Sequence, residues 1–220
     1  MVRTMKKPPL ERYSDKLIEF AHELTPLRLD AKEQAVLRQF QTGERSGLGT
    51  NAWGARGLLR MIWLSGLVVT WKTLCFERQF TGVYGPSRRK AMPWFNGYTH
   101  FIAQCDPLLR QYIQFGGTAP GMTVLHDEFW RMMVFNPNES DLEHARQHLT
   151  NVIYYDFERT PDWLIVDTQQ ALKKRQGTAT FAITLERGTR EPHPIEPPES
   201  SRYTDPPEYR SSDEPADDDQ

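Results

Sequence analysis

Gly57 to Phe76, GLLRMIWLSGLVVTWKTLCF, is the one long apolar run in a chain of 220 residues that is otherwise polar. Its uncharged part, Met61 to Trp71, is 11 residues long and closed by Arg60 and Lys72, whereas a helix that crosses a bilayer needs about 20. Read at helical spacing, Leu58, Met61, Ile62, Leu64, Val68, Trp71 and Cys75 cover more than one face, the pattern of a helix packed nearly all round. The stretch therefore predicts the buried central helix of a domain, with the rest of the chain arranged around it.

Charge divides the chain in two. Residues 191–220 hold 7 of the 16 prolines and ten acids against Arg202 and Arg210, a net of −8. Because the whole chain sums to −2, residues 1–190 carry +6. A basic body with an acidic, proline-rich end suggests a disordered arm for a partner, or one folded back over a basic surface. Cys75 and Cys105 form neither a CxxC pair nor a disulfide framework, which fits a reducing compartment. No signal-peptide core follows the basic N-terminus, and Val2 excludes N-myristoylation. A cytoplasmic location is expected, with the nucleus as the other.

The periodicities predict an α+β domain over residues 13–188, after a flexible leader at 1–12 and before the disordered acidic tail at 189–220. Its N-terminal half reads as helical: Ser14 caps a first helix, Asp30 caps a second through Phe40, and glycines lead into the central helix. Thr81 to Pro93 reads as a basic loop, Pro93 opens an aromatic helix, and Pro107 to Phe115 is a short helix. Met122 to Phe135 fits neither period, Ser140 caps a helix from Asp141 into residue 153, and Trp163 opens a helix ending at Lys173, Lys174 and Arg175. Thr178 to Leu185, TATFAITL, alternates as a strand does, and with partners in 122–135 and 151–157 it predicts a small antiparallel sheet in the C-terminal half.

Catalytic patterns are incomplete. His144 and His148 share a helix face, but HARQH lacks the glutamate of a zinc-peptidase helix and places Arg146 between the ligands. His126, Asp127 and Glu128 are adjacent and so point apart. Gly49 to Gly54, GTNAWG, has the glycine spacing of a phosphate loop, but Ala55 and Arg56 stand where it has Lys and Ser or Thr, and no strand is predicted before it. Pro161, Asp162 and Asp167 lack the Glu-x-Lys arm of a metal nuclease. The sequence thus predicts no enzyme, no metal and no cofactor. Arg88, Arg89 and Lys90, with Lys173, Lys174 and Arg175, are the expected contacts for phosphate or anionic lipid.

Pro206, Pro207, Glu208 and Tyr209 form PPxY, the pattern read by WW domains, whose aromatic groove takes prolines held in extended geometry. The segment resembles the late-domain motif of enveloped-virus matrix proteins, which implies recruitment of a WW-domain ubiquitin ligase. Asn51, Trp53, Gly54 and Arg56 before a long apolar helix, with Tyr112, Ile113, Gln114, Gly116 and Gly117 downstream, resemble the Bcl family of apoptosis regulators. The reading these residues favour is a non-enzymatic viral accessory or matrix-like protein recruiting a WW-domain partner. The alternatives are a nucleic-acid-associated viral protein with a basic body, and a Bcl-like regulator. Homo-oligomers and an anionic membrane surface complete the expected partners.

Overall fold

The protein is described from a computed structural model, which covers residues 8–44, 47–49, 57–77, 79–115, 121–124, 131–134, 148–173 and 179–183. Its centre is a seven-stranded sheet in the order β1-β7-β6-β2-β5-β4-β3. The strands are β1 (Gly47–Gly49), β2 (Phe80–Tyr84), β3 (Ile113–Phe115), β4 (Gly121–Val124), β5 (Arg131–Val134), β6 (Asn151–Tyr155) and β7 (Ala179–Ile183). The first five in spatial order run parallel, and only β4 and β3 continue the sheet antiparallel at one edge.

The helices are α1 (Leu17–Leu24), α2 (Ala31–Gln41), α3 (Leu58–Cys75), α4 (Arg88–Ala103), α5 (Pro107–Arg110) and α6 (Asp162–Lys173), with 3-10 turns at Glu11–Tyr13 and Phe157–Arg159. Helices α1 to α4 share one core with Val83, Ile153, Tyr155, Phe181 and Ile183 of the sheet. Helix α6 closes the opposite face, where Leu164 and Leu172 meet Phe80, Tyr84, Val152 and Tyr154. The result is an α/β/α sandwich, and it corrects the expectation of a small antiparallel sheet in an α+β domain.

The reason lies in β2, β6 and β7, where all five residues of each strand are buried. Parallel strands covered on both faces do not alternate polar with apolar. In TATFAITL the small residues read as a solvent face; instead Thr180 lies under α6, its Oγ1 accepting from Gln169 Nε2 at 3.3 Å. Tyr154 fixes the same helix to β6 through Thr168 and Gln169, and burial pushes its phenol up to about 12.

Helix α3 is the one described helix long and apolar enough to cross a membrane, and 78% of it is buried inside the fold. Trp71 Nε1 donates to the Tyr13 carbonyl at 2.6 Å, and the Leu10 N–H donates to the Leu74 carbonyl at 2.9 Å, so the N-terminal segment straps its end. Helix α4 approaches closely at Gly66, where a Cβ would lie 2.7 Å from Cδ2 of the buried Tyr98. Since α3 packs between helices and a parallel sheet, and Ile113, Gln114 and Phe115 form strand β3, the resemblance to the helical Bcl family is also corrected.

Local differences have local causes. Asp30 does cap α2, in a capping box with Glu33. Ser14 instead closes the first 3-10 turn, and α1 starts after Lys16 without a side-chain cap. The predicted basic loop from Thr81 is strand β2 followed by the first turn of α4, and Pro93 lies inside that helix. As the sixth residue of α4, Pro93 withholds the N–H that would donate to the Arg89 carbonyl, so the helix carries it at some cost in stability. The expected helix into residue 153 is replaced by β6 over its last part, and residues 141–147 lie outside the described residues.

Candidate functional site

Parallel strands align their carboxyl ends, and ligands of open α/β sheets bind outside that edge where successive connections leave to opposite faces. Here β2 and β6 are neighbours. The chain leaving β2 enters α4 on one face, and the chain leaving β6 enters α6 on the other. The edge between them is the crevice this topology offers.

On the β2 side the connection is Gly85, Pro86 and Ser87. A Cβ on Gly85 would lie 2.9 Å from the Tyr155 carbonyl and 3.3 Å from the Ala91 Cβ, so the strand ends close up only because residue 85 has no side chain. Ser87 caps α4, its Oγ accepting from the Lys90 N–H at 3.3 Å. Arg88, Arg89 and Lys90 then fill the first turn, where the helix dipole disfavours cations. Arg89 and Lys90 are exposed, Arg88 partly so.

On the β6 side Asp156 follows the strand with φ of 64°, the one non-glycine residue among those described that takes a left-handed backbone. That conformation costs about 1–2 kcal/mol and is tolerated best by Asp and Asn. Asp156 is buried, and its carbonyl accepts from the Arg159 N–H and the Thr160 hydroxyl, both at 3.1 Å. Its carboxylate does not cap the 3-10 turn. Burial, and then the charge of Asp156, push the Tyr155 phenol upward. Two residues on, Glu158 Oε2 is buried with no hydrogen-bond partner among the described residues. A buried, unmatched carboxylate oxygen costs stability unless something meets it.

The third component is the exit of β1. Its three residues, Gly47–Gly49, are followed by residues 50–57 and then by α3. The expectation that no strand precedes GTNAWG is thus overturned: the order is strand, glycine-spaced connection, helix, as in phosphate-binding loops. Three residues were too short to stand out in a sequence. The first turn of α3 is anchored by Arg60, whose Nε and Nη2 donate to the two Glu33 oxygens at 2.9 and 2.7 Å, with Nη2 also on the Arg28 carbonyl at 2.7 Å. Burial works to raise the Glu33 pKa, but Arg60 and the Asp30 N–H outweigh it and hold it below the ordinary value.

The remaining sequence candidates do not join this edge as a group. Lys173 ends α6, while Lys174 and Arg175 lie outside the described residues, as do Pro206, Pro207, Glu208 and Tyr209, His144, and His126, Asp127 and Glu128. His148 is exposed just before β6. Asp162 and Asp167 both belong to α6. Among the described residues no three His, Cys, Asp or Glu side chains group as metal ligands. Sequence reading missed Asp156, Glu158 and Gly85. The available signal was NVIYYDFE, a β-branched and aromatic run ending in Asp-x-Glu; its strand lies in the expected stretch 151–157, but the acids at its end were not read as part of a site.

No protein-family model matches the chain, and no curated protein does. Solved structures do. The large terminase of bacteriophage HK97 aligns with a TM-score of 0.59 at 12% identity, over 78% of this chain and 37% of that one. The large terminase of a thermophilic bacteriophage aligns at 0.53 and 13%, over 72% of this chain and 39% of that one. The chain therefore shares its fold with bacteriophage large terminases and spans well under half of their length. The expectation of a non-enzymatic protein is corrected, because the fold is one that terminases, enzymes by name, use.

Proposed function

We propose that this domain is the nucleotide-binding unit of a viral enzyme of the terminase kind, taking the polyphosphate of a nucleoside triphosphate at the carboxyl edge of its sheet. The observation that carries the reading is the pairing of two connections on one edge: the β1–glycine connection–α3 unit, and the end of β6 bearing Asp156 and Glu158. In phosphate-loop enzymes an acid at a strand end holds magnesium while the loop and its lysine hold phosphates. Magnesium takes one or two carboxylates together with phosphate oxygens. Asp156 and Glu158 are hard oxygen donors, and the unmatched Glu158 Oε2 suits that role.

The loop fits less fully. Ala55 and Arg56 replace the lysine and the hydroxyl residue, so a cation is present one position late and the loop's own magnesium ligand is missing. The reading is therefore binding first, with hydrolysis slow in the isolated chain. Titration of the whole chain with magnesium and ATP, beside Glu158→Gln, tests it: micromolar binding weakened at least tenfold by the substitution supports it, and no saturable binding rejects it.

A second reading rests on the tail alone. The PPxY of Pro206 to Tyr209 is proposed to recruit a WW-domain protein. Capture of a purified WW domain by the whole chain, and its loss in Tyr209→Ala, is the expected result; equal capture by both rejects the motif.

A further inference from the structure

Strand β7 is parallel to β6 and β2, so the chain leaves Ile183 at the same edge on which Arg88, Arg89 and Lys90 open α4. In the sheet, β7 and β2 are separated only by β6, two strand spacings or about 10 Å. Residues 184–190 number seven, and seven extended residues reach at most about 25 Å. The segment beyond, 191–220, can therefore arrive at the β2–α4 corner without crossing the molecule. It is also the one stretch with strong charge of the opposite sign, ten acids against two bases. Its seven prolines restrict the free chain, so that docking in an extended form loses less conformational entropy than it would for an ordinary linker.

From this attachment point and this charge complementarity we infer that the acidic tail, residues 191–220, occupies the carboxyl edge of its own sheet as an anionic stand-in for the nucleotide, competing with it for Arg88, Arg89 and Lys90. The inference rests on the nucleotide reading of that edge and supplies its regulation. Linkage makes the competition reciprocal: whatever weakens the docked tail tightens nucleotide binding, and nucleotide displaces the tail by the same factor. Displacement also uncovers Pro206 to Tyr209, so one edge controls both the ligand and the motif. A tail that merely solubilises has no preferred contact and does not change affinity at the edge.

The test uses the whole chain and a variant with Asp213→Asn, Glu214→Gln, Asp217→Asn, Asp218→Asn and Asp219→Asn together. A zero-length carbodiimide joins an amine to a carboxylate only where they touch, and mass spectrometry locates the new amide. The expected product links Lys90 to a tail acid within one molecule, in excess over links to the exposed Lys16 and lost in 1 M salt. ATP affinity, read by calorimetry in low salt, is expected to rise about fivefold or more in the neutralised variant, and that gain is expected to vanish in an Arg88→Ala, Arg89→Ala background. Absence of the Lys90 link overturns the inference, as does unchanged affinity where ATP binds. If the link forms and neither protein binds ATP, the docked tail stands and the nucleotide reading falls.

Discussion

The two edges of the parallel sheet differ in how they settle their polar groups. At the amino edge Thr150 accepts from the Phe80 N–H at 2.9 Å, and its hydroxyl lies within reach of the Gln79 side chain and the Phe80 carbonyl at 3.2 and 3.1 Å. Asn151 Nδ2 donates to the same Gln79 and to Thr150, both at 3.0 Å. These donors and acceptors answer one another, although Asn151 Oδ1 is itself buried with no hydrogen-bond partner among the described residues. At the carboxyl edge three cations stand at a helix start that disfavours them, Asp156 holds a left-handed backbone, and a Glu158 oxygen is buried unmatched. The amino edge is knitted by side chains that bond one another, whereas at the carboxyl edge the unmatched atom is a carboxylate oxygen on an edge that also bears a cluster of cations, a setting that suits a charged ligand.

The largest expected effect comes from the pair that anchors the open edge. Replacing Arg60 by alanine leaves Glu33, whose side chain is 2% exposed, without its cation. Breaking a buried pair costs about 3–5 kcal/mol, and the partial exposure of Arg60 places this one near the lower figure. Chemical denaturation of Arg60→Ala at neutral pH measures the loss. The pH dependence follows from the direction of the shift. Glu33 titrates below 4.5 when folded, so its stabilisation is complete above that value and disappears as the pH falls through the depressed one. The gap between the two proteins is expected to close in acid; a gap that stays constant down to pH 3 shows that the ion pair is not its source.

Smaller effects separate the edges further. Gly85→Ala drives a Cβ against the Tyr155 carbonyl, and overpacking of this kind costs about 1–3 kcal/mol. Because it pushes apart the ends of β2 and β6, it is expected to weaken ATP binding as well as lower the melting temperature. Thr150→Val, at the amino edge, unmatches the Phe80 N–H and is expected to cost about 1–2 kcal/mol while leaving ATP affinity unchanged. Should Thr150→Val weaken binding as much as Gly85→Ala does, the division between a structural and a functional edge is wrong.

How much of this the sequence shows follows the same division. Helix α3 is legible because Met61 to Trp71 is apolar on every side, and α2 because Asp30 and Glu33 write a capping box. The sheet is legible only in its segments: strands fall in the expected stretches 122–135, 151–157 and 178–185, but their parallel direction is not, since such pairing joins segments far apart, Thr81 with Asn151 and Asn151 with Ala179. A strand buried on both faces, such as NVIYY, has no polar face to reveal that a helix covers each side of it, and three-residue β1 has no length. The basic trio was visible as composition, but its place at the carboxyl end of β2 depends on a strand that Gly82 and Gly85 disguise as a loop. Asp156 and Glu158 gain meaning only from where β6 stops.

Glu158→Gln is the substitution with the smallest expected effect on folding and the most direct bearing on the open edge. It keeps the size of the side chain and removes a charge whose buried oxygen finds no partner among the described residues. A residue kept for stability would lose free energy on such a change. One kept for a ligand loses nothing in the free protein and gains slightly, by up to about 1 kcal/mol, because an unmatched charge is no longer desolvated. Unfolding without ligand is therefore expected to be unchanged or marginally later in Glu158→Gln. With magnesium and ATP present the order reverses, because the parent protein is stabilised in proportion to its occupancy and the variant is not. A crossing of the two melting curves on adding magnesium and ATP identifies the carboxylate as a ligand group; parallel curves assign Glu158 to the fold and leave the carboxyl edge defined by its cations alone.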